Sequence, residues 1–257
     1  MKATRIICAL LALVCICTVI CSCGYKAPTG KAAYDADNSP TRKGTEIKMS
    51  AVKEEIDSMK VSDFVPSSQQ SDYVLIKIKD YGEIVVVLRH DVAPITVENF
   101  KRLVAEGFYT DTVFHRVIEG FMIQGGGCIV APEGSKDYFA YKEADSIKGE
   151  FTSNGVINNL THVRGVISMA RAGAPSQATN EQIKEANNSA SSQFFIVHQT
   201  GDSARSLNGD YATFGYVLAG MDVVDAIATC LVFDPDSNAP VPVNDVIIES
   251  ITFVEPK

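Results

Sequence analysis

Short apolar blocks rich in Val, Ile and Phe recur eight times along the chain, at residues 73–79, 83–89, 113–118, 121–124, 165–171, 193–198, 212–218 and 246–254. Blocks of this length, bounded by Gly, Asp, Asn and Ser, are the signal of β-strands. Asp80, Tyr81 and Gly82 separate the first two blocks. The glycine can take the positive φ of a tight connection, so the pair is read as a hairpin. Helical spacing stands out in two places within this region. Val97, Phe100, Leu103 and Val104 line one face after Pro94, with Gly107 placed to end the run, and a second stretch covers 221–230. Many short strands with two clear helices predict a mainly β fold, a closed antiparallel β-barrel with α-helical caps, because closure removes exposed edges.

The first 22 residues follow a different pattern. Lys2 and Arg5 precede an uncharged run over 6–20. That run is shorter than the roughly 20 apolar residues of a spanning helix, and it matches an export signal. It ends at Cys21-Ser22-Cys23-Gly24, which resembles the lipobox of bacterial lipoproteins. The resemblance implies a signal peptide over 1–22, a lipid on Cys23, and a chain anchored in the bacterial cell envelope facing the extracytoplasmic side. Cys21 is the weaker choice because the bulky Ile20 precedes it. An ordinary cleaved signal and an uncleaved anchor stay open.

Residues 23–71 then read as the lipidated cysteine and a polar tether, with Pro28, Gly30, Pro40 and Gly44. Within it Met49, Val52, Ile56 and Met59 recur at helical spacing. The reading is a short solvated linker helix, since so short a helix is marginal without a packing partner.

The chain has 257 residues, 23 Lys+Arg against 31 Asp+Glu, a net charge of −8 and 46% apolar residues. This excludes a disordered chain and argues against a basic surface for nucleic-acid phosphates. Five of the seven cysteines lie in the first 23 residues, so there is no disulfide framework, and Cys128 and Cys230 are read as two free buried thiols, with a pairing of the two outside the cytoplasm left open. His90, His115, His162 and His198 are scattered without metal spacing, and Gly125-Gly126-Gly127 lacks the Lys of a phosphate loop. No metal, nucleotide or other cofactor is indicated.

The segment FHRVIEGFMIQGG at 114–126 resembles the signature of the cyclophilin family of peptidyl-prolyl isomerases. GVISMAR at 165–171, SQFFI at 192–196 and LNGDYATFG at 207–215 follow in the family's order. The resemblance covers about residues 72–255 and defines a domain over 72–257. It implies an eight-stranded barrel capped by two helices, and rotation about Xaa-Pro bonds in proline-containing polypeptides without metal or cofactor.

The residue types suit that chemistry. An Xaa-Pro bond resists rotation by about 18–20 kcal/mol because the nitrogen lone pair is delocalised into the carbonyl. A donor beside that nitrogen localises the lone pair as the bond twists and acts most strongly in the twisted state. Arg116, always charged and rich in donors, is the candidate catalytic residue. Strand alternation puts His115 on the opposite face as a structural histidine. Phe121, Met122, Phe195, Leu207 and Tyr211 match the family's proline pocket. Gln124 is expected to hold Arg116 or the substrate backbone, Ala170 and Arg171 to flank the groove, and Gln193 to hydrogen-bond the substrate chain. Phe114 and Phe194 are expected to face the core.

The sequence departs from the best-known family pattern in several places. Arg171 stands where many members carry Asn, and its contact is expected through the backbone. Tyr211 stands where many eukaryotic members carry His. Ser206 replaces the Trp of strong cyclosporin binders, which implies weak cyclosporin binding. Residues 172–189 and 129–148 are longer than usual. The first is read as a passive solvated insertion, with a groove rim as the alternative. A proline-binding chaperone or scaffold without turnover is the rival function, and the joint presence of Arg116, Phe121, Gln124 and Phe195 favours the enzyme.

Overall fold

The computed structural model describes residues 47–135 and 137–257. The signal segment and Cys23 lie outside the described residues. The chain enters through helix α1 (Met49–Glu55), strand β1 (Phe64–Pro66) and the hairpin of β2 (Tyr73–Ile78) and β3 (Gly82–Leu88). Helix α2 (Pro94–Ala105) leads to β4 (Thr112–Ile118), β5 (Met122–Val130) and the short β6 (Phe139–Tyr141). There follow β7 (Val166–Met169), α3 (Asn180–Asn187), β8 (Phe194–Val197), α4 (Asp202–Arg205), β9 (Thr213–Ala219) and α5 (Met221–Ala228). A two-stranded ribbon of β10 (Val232–Phe233) and β11 (Val241–Pro242) precedes the last strand, β12 (Ile247–Pro256).

Strands β12, β2, β3, β9, β7, β8, β5 and β4 are hydrogen-bonded in that order, and β4 returns to β12 through Val113 opposite Ile247 and Thr112 opposite Ile248. The eight strands of this ring are the eight blocks of the hydropathy pattern, and the ring is mainly antiparallel β as that pattern predicts. Along β2 the buried Val74, Ile76 and Ile78 alternate with more exposed neighbours, which is the period-two rule for a strand with one face on a core. Phe114 and Phe194 are buried in that core with Phe100 and Phe214. The ring centroids of Phe100 lie 5.7 Å from Phe194 and 5.2 Å from Phe214.

Both ends of α2 are fixed by identifiable groups. At its C-terminus Gly107 has φ 66°, and the N–H groups of Phe108 and Gly107 donate to the carbonyls of Leu103 and Val104. This is a Schellman closure, and it satisfies carbonyls that the helix leaves open. At its N-terminus the buried Glu150 carboxylate accepts from the backbone N–H groups of Ile95 and Thr96 and from the Thr96 hydroxyl. A carboxylate there complements the helix dipole. The sequence offers no local sign of it, because Glu150 arrives from 54 residues further along the chain.

The solvated linker helix is corrected by the structure. Val52 is 3% exposed, and Met49, Ile56 and Met59 pack against the barrel core. The Tyr216 hydroxyl donates to the Glu55 carboxylate, and Asp57 Oδ1 accepts from the N–H groups of Gly220 and Met221 at the start of α5. The N–H groups of Asp57 and Met59 reach the carbonyls of Val217 and Leu218, and β1 adds to the free edge of β12. The segment is therefore an arm laid on the barrel, stabilised by a partner distant in sequence.

The two long connections are also structured. Residues 129–148 include β6, paired to β5. In the 172–189 insertion, Thr179 and Gln182 form a capping box for α3. Ala186 is buried, and Asn188 Oδ1 accepts from Gly149 N–H and from the Asn154 amide. Residues 172–177 and 179–185 are exposed, in keeping with a solvated insertion, and only its last residues, from Ala186, dock on the neighbouring loop.

Candidate active site

Arg116 sits opposite Gln124 in the β4–β5 ladder, with one extra residue on β4 between the Phe114 and Arg116 pairings. Such a bulge re-aims the side chains beside it. The guanidinium Nε donates to the Asn238 carbonyl at 2.9 Å, and Nη1 lies 3.2 Å from Gln124 Oε1 and 3.9 Å from Met122 Sδ. Gln124 Nε2 donates in turn to Gln193 Oε1 at 3.0 Å. These contacts hold the fork from Nε and Nη1, and none of them uses Nη2. Burial lowers the Arg116 pKa from its ordinary value, yet an arginine keeps its charge in a protein.

Gln193 can lie across β5 because Gly127 has no side chain. A Cβ there would stand 2.3 Å from Gln193 Cγ. The glycine run that lacks the features of a phosphate loop is thus explained by close packing against β8 and its approach.

Beside this polar row is a second apolar cluster, separate from the barrel core. Met122, Phe195, Val197 and Ala204 are buried, with Phe121, Ala170, Leu207 and Tyr211 partly buried around them. The structure thus brings together every apolar residue predicted for the pocket, and Arg116, Gln124 and Gln193 border it through Met122. Phe121 is held in the β4–β5 turn by its N–H to the Ile118 carbonyl and by its own carbonyl, which accepts from His198 N–H. Phe195 meets Tyr211 edge-on at 5.9 Å. Ala170 N–H donates to the Gln193 carbonyl, which ties β7 to β8 at the groove edge.

Arg171 does more than its expected backbone contact. Its Nε donates to the Asp210 carbonyl at 2.8 Å, and its guanidinium carbon lies 4.9 Å from the centre of the Tyr211 ring and 5.1 Å from that of Phe151. The side chain clamps the loop that carries Tyr211. Sequence reasoning also missed Asn238, whose carbonyl contact carries no residue-type signal, and His162, which was read only as an isolated histidine. His162 stacks on Phe195 with centroids 5.8 Å apart.

His115 meets Phe139 edge-on and reaches Gln193 of this row rather than facing away from it as strand alternation predicts, and its Nδ1 is buried without a hydrogen-bond partner among the described residues. Burial pushes its pKa down to about 4, so it is neutral at ordinary pH. Among the described residues Cys128 and Cys230 form no disulfide. Cys128 is buried, with its pKa pushed up to about 12, whereas Cys230 is half-buried, which corrects the expectation of two buried thiols. A cavity of about 930 Å³ lies elsewhere, where residues 57–61 meet the β2–β3 turn and the start of α5. None of the predicted site residues lines it.

Residues 73–253 match the family model described as cyclophilin type peptidyl-prolyl cis-trans isomerase/CLD. The chain is 41% identical over 181 residues to peptidyl-prolyl cis-trans isomerase B of Escherichia coli, covering 68% of this chain and 96% of that relative. A crystal structure of a Cryptosporidium parvum cyclophilin type peptidyl-prolyl cis-trans isomerase aligns with a TM-score of 0.54 at 28% identity, covering 72% of this chain and 98% of that one. A second crystal structure of that protein, in the presence of the dipeptide Ala-Pro, aligns with a TM-score of 0.51 at 28% identity, over 70% of this chain and 98% of that one. The chain belongs to the cyclophilin-type peptidyl-prolyl cis-trans isomerases, enzymes that interconvert cis and trans Xaa-Pro bonds in proline-containing polypeptides.

Proposed function

We propose that this isomerase acts on exported or envelope proteins as they fold, that Arg116 drives rotation, and that the Met122–Phe195 cluster seats the proline ring. The observation that carries the reading is the placing of the Arg116 guanidinium at one edge of an apolar cluster, with Nη2 outside its hydrogen bonds to the described residues. Phe121, Met122, Phe195, Leu207 and Tyr211 present apolar surface suited to a pyrrolidine ring. Gln193, Ala170 and Arg171 flank the chain on either side of it.

With the ring held, the acyl group preceding it turns. As the amide leaves planarity, the prolyl nitrogen pyramidalises and regains its lone pair. Arg116 Nη2 donates to that lone pair, a bond absent from the planar ground state. A charge-assisted hydrogen bond of this kind is worth about 1.5–3 kcal/mol, roughly a tenfold to hundredfold gain in rate. Transfer of the twisting amide from water to the apolar pocket adds to it, because the twisted form is less dipolar than the planar one. No proton is removed at any step.

Residues 1–22 act in this reading as a lipoprotein signal, and Cys23 carries the lipid that anchors the domain. The small Ser22 before Cys23 supports it. Two experiments test the proposal. Titrating the isotope-labelled chain with an Ala-Pro peptide is expected to shift Phe121, Phe195, Leu207 and Tyr211, and shifts confined to another face contradict the pocket. Cys23→Ala is expected to move the chain from the membrane fraction to the soluble one, and an unchanged membrane association contradicts the lipid anchor.

A further inference from the structure

We propose that His162 is a positioning residue of the proline pocket, a neutral imidazole that fixes the Phe195 ring, β7 and the Leu207–Tyr211 loop relative to one another. The proposal rests on the assignment of Phe195, Leu207 and Tyr211 to that pocket.

His162 is 1% exposed. Its ring lies almost parallel to Phe195, at 13°. Its backbone N–H donates to Asn208 Oδ1 at 2.8 Å, and its Nδ1 lies 2.9 Å from the same oxygen. Its Nε2 lies 3.1 Å from the Ser168 hydroxyl. These contacts fix the tautomer. The Asn208 atom is an acceptor, because the backbone N–H already donates to it, so Nδ1 carries the hydrogen. Nε2 is then the acceptor, and the Ser168 hydroxyl donates to it. The neutral ring thus has both nitrogens satisfied, and burial pushes its pKa down to about 4.

The three partners belong to three separate parts of the pocket wall. Ser168 lies on β7, directly opposite Phe195 in the β7–β8 ladder. Asn208 follows Leu207 in a tight turn closed by Asp210 N–H to the Leu207 carbonyl, with Gly209 at φ 86°. That turn is an exposed connection, and its position over the cluster depends on contacts made by its backbone and by Asn208. Ser153 holds the Gly209 carbonyl and Arg171 that of Asp210. His162 makes the link that runs to the aromatic floor itself. Losing it frees Leu207 and Phe195 to separate, and a small misplacement of binding groups costs rate without unfolding the protein.

The test uses the purified chain in an Xaa-Pro peptide assay, with folding checked by circular dichroism. His162→Phe keeps a flat ring on Phe195 and removes both side-chain hydrogen bonds. It is expected to raise KM and lower kcat/KM by roughly tenfold per folded molecule, on the scale of lost buried hydrogen bonds. His162→Asn restores a donor towards Asn208 and is expected to recover part of that loss. Asn208→Ala removes the same link from an exposed turn, so its folding is secure. It is expected to raise KM in the same sense, with losses in the double variant well short of additive. Unchanged KM in Asn208→Ala, or fully additive losses, would overturn the proposal. Mapping an Ala-Pro peptide on the wild-type chain separates the two levels. Shifts away from Phe195 and Leu207 overturn the pocket and this role together, whereas shifts at the pocket with kinetically silent variants overturn the role of His162 alone.

Discussion

The Arg116 guanidinium and the Gln124 amide are neighbours across the β4–β5 ladder, with Nη1 donating to Oε1 at 3.2 Å. Gln124 is itself held by Gln193, so the arginine is aimed by a side chain that is in turn fixed. In the proposed mechanism the orientation of this donor matters, because the bond it would make exists only while the substrate is twisted. Gln124→Ala is expected to lower kcat by roughly tenfold, on the scale of one orienting hydrogen bond, with little change in the melting temperature. Peptide kinetics and calorimetry on the same preparation check this. A fall in melting temperature that accounts for the lost activity contradicts the orienting role.

Arg171 and Tyr211 make the second prediction. The guanidinium covers the Tyr211 ring and bonds the Asp210 carbonyl beside it. Arg171→Ala removes both and is expected to raise KM for Xaa-Pro peptides by roughly threefold to tenfold, from a cation–π contact and one hydrogen bond at a partly exposed site. Arg171→Lys keeps the charge but not the planar fork, so it is expected to recover little. Full recovery in the lysine variant contradicts the clamp and leaves only groove charge.

Stability is expected to fall on acidification through the histidines. His115 and His162 have folded pKa values pushed down to about 4 from an ordinary value of 6.5, by burial above all. Between those two pH values the unfolded chain binds protons that the folded chain does not, so stability rises with pH across the window and is lost as pH falls through it. From pH 7 to pH 5 each histidine accounts for about 2 kcal/mol. The melting temperature is expected to drop by about 10 °C over that interval, and His115→Phe is expected to reduce the drop. Catalysis, which moves no proton, is expected to be flat from about pH 6.5 to 9 in the folded enzyme. A melting temperature independent of pH between 5 and 7 contradicts the assignment.

The arm over residues 47–66 is expected to be part of the stable unit. Its removal uncovers the core that Val52 and Phe64 help to close and strips Asp57 from the N-terminus of α5. Burial of two apolar side chains alone is worth about 3–6 kcal/mol. A chain beginning at residue 72 is expected to melt at least 10 °C below one beginning at residue 47. Equal melting temperatures contradict the packing role.

The eight ring strands were legible because each carries its own local pattern, and the order of the motifs around Arg116, Phe195 and Tyr211 was enough to name apolar residues that the fold gathers into one cluster. What escaped the sequence was set by partners far along the chain. The arm reads as a weak solvated helix because the groups that stabilise it, Tyr216 and the start of α5, lie some 160 residues away. Glu150 carries no local sign of its role, because α2 lies 54 residues before it. Asn238 contributes a carbonyl, which every residue has. Nothing in the sequence shows that the Arg171 side chain reaches Asp210 or that His162 reaches Asn208, because only the folded loop brings these partners to them.

The most direct test of the account is the rate of Xaa-Pro isomerisation in a short peptide, measured for the purified chain and for Arg116→Ala. Arg116 lies half-exposed at the edge of the cluster, so the variant is expected to fold and still bind the peptide. The account predicts kcat/KM lower by roughly a hundredfold, the upper end of the loss of one charge-assisted bond made only in the twisted state. A folded variant that turns the bond over as fast as the wild type would contradict it.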